Sequence, residues 1–191
     1  VDTSSAAHDS LAEVLAVGNI TGGTDLVVSA GDDFTTLTLG TNNFVIGSTA
    51  GDSIISGGNY NTLVGNLAGT AVTTGDNNTA VGYASLDANN TGIANVAVGS
   101  SALSTNTTGQ YNIAVGAYAL NSNTTANDNV AMGGSALYSN STGAGNTALG
   151  RATLFSNTTA SNNTAVGRSA LNANTTGTSN TAVGYAAAQN N

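Results

Sequence analysis

Few residues in this chain are equipped for chemistry. There is one histidine, His8, and no cysteine. A general base needs a nucleophile and an orienting partner held in place, and a lone His8 beside Asp9 and Ser10 reads more simply as a solvated residue. Asp32 and Asp33, joined by Asp52 across neighbouring chains, would supply the paired carboxylates of glycoside hydrolysis. Adjacent acids beside Gly31 read more simply as a turn. Asp25, Asp32 and Asp33 offer calcium-type oxygens, but the G-G-x-G-x-D phrase of calcium-binding rolls is missing. The expectation is therefore no enzyme, no catalytic residue, no metal and no cofactor. Arg151 and Arg168 are the only cations, 17 residues apart. They suit a wet edge or a site for an anion or glycan.

Composition narrows the class further. Charged residues make up 6%, while hydrophobic ones make up 40%. Disordered chains show the opposite balance. Without cysteine, disulfides and thiolate metal sites are excluded. Two cations cannot line a nucleic-acid groove. No apolar run approaches the roughly 20 residues of a membrane-spanning helix. Val1 in place of an initiator methionine points to a processed chain or a fragment. Of the ten acids, all but Asp87 and Asp128 precede residue 78, where there is no cation. The net charge of −8 therefore belongs to the first part, and the rest relies on Asn, Thr and Ser for its polarity.

That nearly uncharged part is a repeat. The glycine of an N-x-x-x-G phrase recurs at Gly65, Gly82, Gly99, Gly116, Gly133, Gly150, Gly167 and Gly184, always 17 residues apart. One copy reads N-T-A-V-G-R-S-A-L-N-A-N-T-T-G-T-S over 163–179. Seventeen residues are too few for two helices with turns, but they suffice for one coil of a β-solenoid. Residues 61–191 then hold seven complete coils and a truncated eighth. An imperfect copy, Asn43-Phe-Val-Ile-Gly47, lies 18 residues before Gly65. Asparagine leads every coil and recurs seven residues after most of the glycines. Stacking at about 4.8 Å places these amides within ladder distance.

Alternation within the strand sets two faces. We expect Val81, Val98 and Val115 to fill the coil with a second inward column containing Leu86, Leu103 and Leu120. The opposite face carries Ala80, Ala97, Ala114, Ala131, Ala148, Ala165 and Ala182, with no charge. Strands apolar on both faces are buried on both. The expectation is that repeats of other chains pack on this alanine face. Tyr83, Arg151, Arg168 and Tyr185 fall in variable columns and are the candidates for surface contact. The paired threonines at 107–108, 124–125, 158–159 and 175–176 point to opposite faces of a strand, so they make no flat ice-binding array. Asn-x-Ser/Thr sequons at Asn19, Asn77, Asn89, Asn106, Asn123, Asn140, Asn157, Asn162 and Asn174 are explained mostly by the ladders.

Ahead of the repeats, residues 1–18 are expected to hold a short helix over 8–16. Ser10 is a cap, Glu13 follows three residues later, and Leu11, Val14 and Leu15 form a stripe. Residues 19–60 read as an irregular β-prism-like leader.

The phrase N-T-A-V-G-x-x-A-L-x-x-N-T-T-G resembles the repeats of phage tail fibres. It is also similar to the S-V-A-I-G-x-x-S-x-A phrase in the heads of trimeric autotransporter adhesins, whose repeat is usually shorter. The segment L-A-E-V-L-A-V-G-N-I-T-G-G-T-D over 11–25 looks like parts of tailed-phage structural proteins. The resemblance implies an all-β, left-handed parallel β-roll with three chains around an axis. It also implies a shaft or head segment of an attachment fibre, located on the virion or an extracellular surface. Its partners would be two further copies, other virion or fibre proteins, and a host-surface glycan or receptor, without nucleic acid and without a membrane span. A cell-surface adhesin or filament subunit is the alternative. A polysaccharide-cleaving tailspike is a third reading.

Overall fold

The computed structural model describes residues 40–190. The expected helix over 8–16 and most of the expected leader lie outside them. The described residues form a parallel β-solenoid of about eight turns, containing strands and turns without a helix. Its single sheet has nine three-residue strands in chain order. They are β1 (Phe44–Ile46), β2 (Thr62–Val64), β3 (Thr79–Val81), β4 (Val96–Val98), β5 (Ile113–Val115), β6 (Val130–Met132), β7 (Thr147–Leu149), β8 (Thr164–Val166) and β9 (Thr181–Val183). Each strand pairs with the next in register, Thr79 with Val96 and Val81 with Val98, for example. Eight steps of about 4.8 Å give a sheet roughly 38 Å long.

Among the described residues the stacking begins with the coil 43–60, one before 61–77, because β1 already pairs with β2, Phe44 with Thr62. It carries one extra residue. The Asn43 amide donates to Gly58 O, 15 residues on, whereas the Asn61 amide donates to Gly75 O, 14 residues on. The additional residue therefore sits in the turn before Gly58.

We number columns from the leading asparagine of each coil. Columns 1, 3, 8, 9, 12 and 15 face inward. In the coil 95–111 these are Asn95, Ala97, Ala102, Leu103, Asn106 and Gly109, all buried. Leu103 and its equivalents in column 9 are the largest side chains in this interior. A strand of three residues is short, yet the coils bond to one another well beyond it. Gly99 N–H donates to Val81 O, Ser101 N–H to Tyr83 O, Leu103 N–H to Ala119 O and Tyr111 N–H to Ile93 O. To reach these partners, columns 7, 9 and 17 adopt left-handed backbone, as at Ser101 (φ 53°), Leu103 (φ 52°) and Tyr111 (φ 57°). Each such residue costs about 1 kcal/mol or more. The cost is offset because the twist keeps the leucine inside while its N–H reaches the neighbouring coil.

Column 5 must be glycine. Gly99 has φ 132°, and a Cβ there would lie 2.7 Å from the Gly116 carbonyl carbon. The two asparagine columns hold the interior together. In column 1, each backbone N–H donates to the Oδ1 of the preceding coil, Asn112 to Asn95 at 3.0 Å. In column 12, amide bonds to amide, Asn123 Nδ2 to Asn106 Oδ1 at 2.9 Å. Both columns also donate to the column-15 carbonyl, so Asn112 and Asn123 converge on Ala126 O. No buried side-chain nitrogen or oxygen among the described residues lacks a partner. That matters because a buried unpaired amide costs about 1–3 kcal/mol.

Candidate interaction surface

The two faces of the strand are the reverse of the sequence expectation. Ala80, Ala97, Ala114, Ala131, Ala148, Ala165 and Ala182 point into the coil and belong to its core. They are closed to any other chain. The cause is volume. The interior is narrow, the column-9 leucines cross it, and only a methyl group fits in column 3 between them. Leu86, Leu103 and Leu120 lie fully buried there. Val81, Val98 and Val115 instead point outward and are half-buried.

Column 4 is thus an outward row: Ile46, Val64, Val81, Val98, Val115, Met132, Leu149, Val166 and Val183. Met132 is 45% exposed and Val183 70%. Column 2 runs beside it as Phe44, Thr62, Thr79, Val96, Ile113, Val130, Thr147, Thr164 and Thr181. Nine strands contribute to this face and none places a charge on it. Column 4 is an unbroken apolar row, and column 2 beside it mixes four apolar residues with five threonines; an uncharged, partly exposed face of this length is unusual for a solitary soluble chain.

Beyond the glycine bend, column 6 stands on the rim. Tyr83 is 57% exposed, Tyr185 is 76% exposed, and Arg151 and Arg168 are exposed as well. The structure brings three of these four into one local row in successive coils, with the Arg168 guanidinium carbon 5.9 Å from the Tyr185 ring centre. Tyr83 stands in the same column four coils before Arg151, apart from them.

Tyr138 and Phe155 also fall in variable columns of the sequence, and the structure joins them with Tyr118 in a second aromatic group. Tyr138 and Phe155 stack at 5.1 Å and 6°, and Tyr118 meets Tyr138 edge-on at 6.5 Å. The 17-residue spacing of Tyr138 and Phe155 signals their stack. Tyr118 joins from a different column, which hid it.

Other candidates close or fall outside. Asn89, Asn106, Asn123, Asn140, Asn157 and Asn174 are buried in the column-12 ladder, so their sequons are sealed in the folded chain. Asn77 and Asn162 are exposed. Thr107, Thr124 and Thr158 donate their hydroxyls to carbonyls of the next coil. His8, Asn19, Asp25, Asp32 and Asp33 lie outside the described residues, and Asp52 is exposed. Among the described residues no group of three or more His, Cys, Asp or Glu side chains could hold a metal ion. No helix there is long and apolar enough to cross a membrane. No family model matches the chain, and no curated protein or solved structure matches it.

Proposed function

We propose that this chain is the structural rod segment of a homotrimeric attachment fibre of the phage tail-fibre kind. The observation that carries the reading is the uncharged column-2 and column-4 face, which runs the length of the sheet in unbroken register. Such a face is matched by an identical one, because every coil of one chain then meets a coil of the same period in its neighbour. Burying apolar area contributes about 25 cal/mol per Å², so the column-4 row of eight aliphatic side chains and Met132 favours association. The number three, the fibre setting and the virion location rest on the resemblance of the N-T-A-V-G phrase. The role is mechanical. The rod holds a receptor-binding part away from its base, and the number of coils sets its length.

Sedimentation equilibrium tests the assembly. The expected mass is three times the chain's 18.5 kDa. A stable monomer at micromolar concentration would overturn it. Immunogold labelling with an antibody against the chain tests the setting. Label on virion fibres supports the reading, and label confined to cell surfaces moves the chain to the adhesin alternative. Release of reducing sugar ends by the purified protein would move it to the tailspike reading.

A further inference from the structure

Arg151 and Arg168 occupy column 6 of adjacent coils, so their Cα atoms are one strand step apart, about 4.8 Å. Their backbones are pinned in that register: Ser169 N–H donates to Arg151 O at 3.0 Å, and Ala186 N–H to Arg168 O at 2.9 Å. Both follow column-5 glycines, Gly150 and Gly167, whose φ of 129° and 123° turns the chain out of the strand. The guanidinium groups therefore stand on the rim and outside the apolar face. Each is exposed, and neither forms an ion pair with a described residue. Residues 129–190 contain no acid at all. In a chain of net charge −8, these last coils are strictly cationic, and all of that charge lies at one spot.

The two side chains leave backbone one strand step apart, and like charges that converge from there repel unless something neutralises both. A guanidinium presents a flat fork of N–H donors that matches an oxyanion, and two adjacent forks can share one. Tyr185, next in the same column, adds an apolar ring face at the end of the pair. The Arg168 guanidinium carbon lies 5.9 Å from its ring centre, which ties the ring to the pair. A long polyanion fits poorly, since it has only two cations to contact and meets Asp87 and Asp128 in earlier coils.

We propose that Arg151, Arg168 and Tyr185 form a binding site for an isolated oxyanion, carboxylate or phosphate, borne on a saccharide. The two guanidinium groups clamp the anion, and Tyr185 packs against the sugar ring. The site needs one chain only, so it does not depend on the trimer or the fibre reading.

Calorimetric titration of the intact protein tests this with four probes: glucuronate, glucose 6-phosphate, inorganic phosphate and neutral glucose. The first two should bind at millimolar concentration, inorganic phosphate more weakly, and glucose not at all. Arg151→Gln and Arg168→Gln should each lose about tenfold in affinity for glucuronate and glucose 6-phosphate. Arg168→Lys should lose most of that, because it keeps the charge but not the fork. Tyr185→Ala should weaken the sugar acids and leave inorganic phosphate unchanged. Circular dichroism should show the fold intact in all four variants, since these side chains are exposed. Equal binding of glucose and glucuronate would overturn the proposal. So would glutamine variants within twofold of the parent, or no binding of either sugar acid at tens of millimolar.

Discussion

Leu63 and Gly69 exchange the sizes that the later coils give to their columns. In the coils from 78 to 179, column 3 holds alanine and column 9 holds leucine. In the coil 61–77, column 3 holds Leu63 and column 9 holds Gly69. A Cβ on Gly69 would stand 2.8 Å from a Leu63 methyl. One leucine crosses the interior in each of these coils, entering from the strand or from the opposite turn.

The exchange makes a coupled prediction. Leu63→Ala leaves a void and should cost about 2–5 kcal/mol. Gly69→Leu overfills the coil and should cost about 1–3 kcal/mol. The double variant restores the pattern of the later coils and should recover most of both losses. Urea denaturation of the three variants measures the coupling. Simple additivity would show that the two residues do not share one space.

Glycine column 5 gives a second. Gly116 has φ 129°, and a Cβ there would lie 2.7 Å from the Gly133 carbonyl carbon. Gly116→Ala should cost about 3 kcal/mol or more, since neither backbone can move without breaking the ladder. Gly134→Ala is the control. Its Cβ would meet nothing nearer than Ala117 O at 3.9 Å, so its melting temperature should stay within a few degrees of the parent.

The column-12 ladder gives a third. Asn123 donates to Asn106 Oδ1 and to Ala126 O, and it accepts from Asn140 Nδ2 at 3.3 Å. Asn123→Asp turns the donor into an acceptor facing two other acceptors. A buried carboxylate so placed has its folded-state pKa raised above the ordinary value of about 3.9. The variant should therefore be least stable at neutral pH and regain stability as pH falls toward 4. Melting curves at pH 7 and pH 4 measure this. A variant no less stable than the parent at pH 7 would show that the ladder contributes little.

Neighbouring residues on β6 separate the two faces. Ala131 is fully buried and Met132 is 45% exposed. Ala131→Glu puts a charge inside the coil and should unfold it locally, with loss of β signal in circular dichroism. Met132→Glu should keep the β signal and instead dissociate the oligomer in sedimentation. If Met132→Glu assembles normally, copies of the chain do not meet on column 4.

The period and the asparagine columns were legible because no insertion interrupts the repeat after Gly65. Which side of the strand faces inward was not. Thr-Ala-Val is apolar on both sides, and three residues are too few for hydrophobicity to decide. The deciding signal was the size exchange at Leu63 and Gly69, which only makes sense if columns 3 and 9 face each other. The coil 43–60 was visible only as an imperfect copy, because the extra residue before Gly58 breaks the 17-residue spacing. The left-handed backbone at Leu103 and its equivalents left no trace in composition, since leucine does not favour that conformation. The rim cations were visible as a pair, but their accessibility depended on the bend at Gly150 and Gly167.

The ladders bond each coil chiefly to its immediate neighbours, so the molecule is graded in force as well as in space. A pull on one end of a single chain loads the bonds of the last coil first, and the others stay shielded until it peels away. Each coil released pays out 17 residues, about 55 Å of extended chain, for one strand step of rod. Force spectroscopy on a single chain should therefore show the solenoid lengthening in uniform increments.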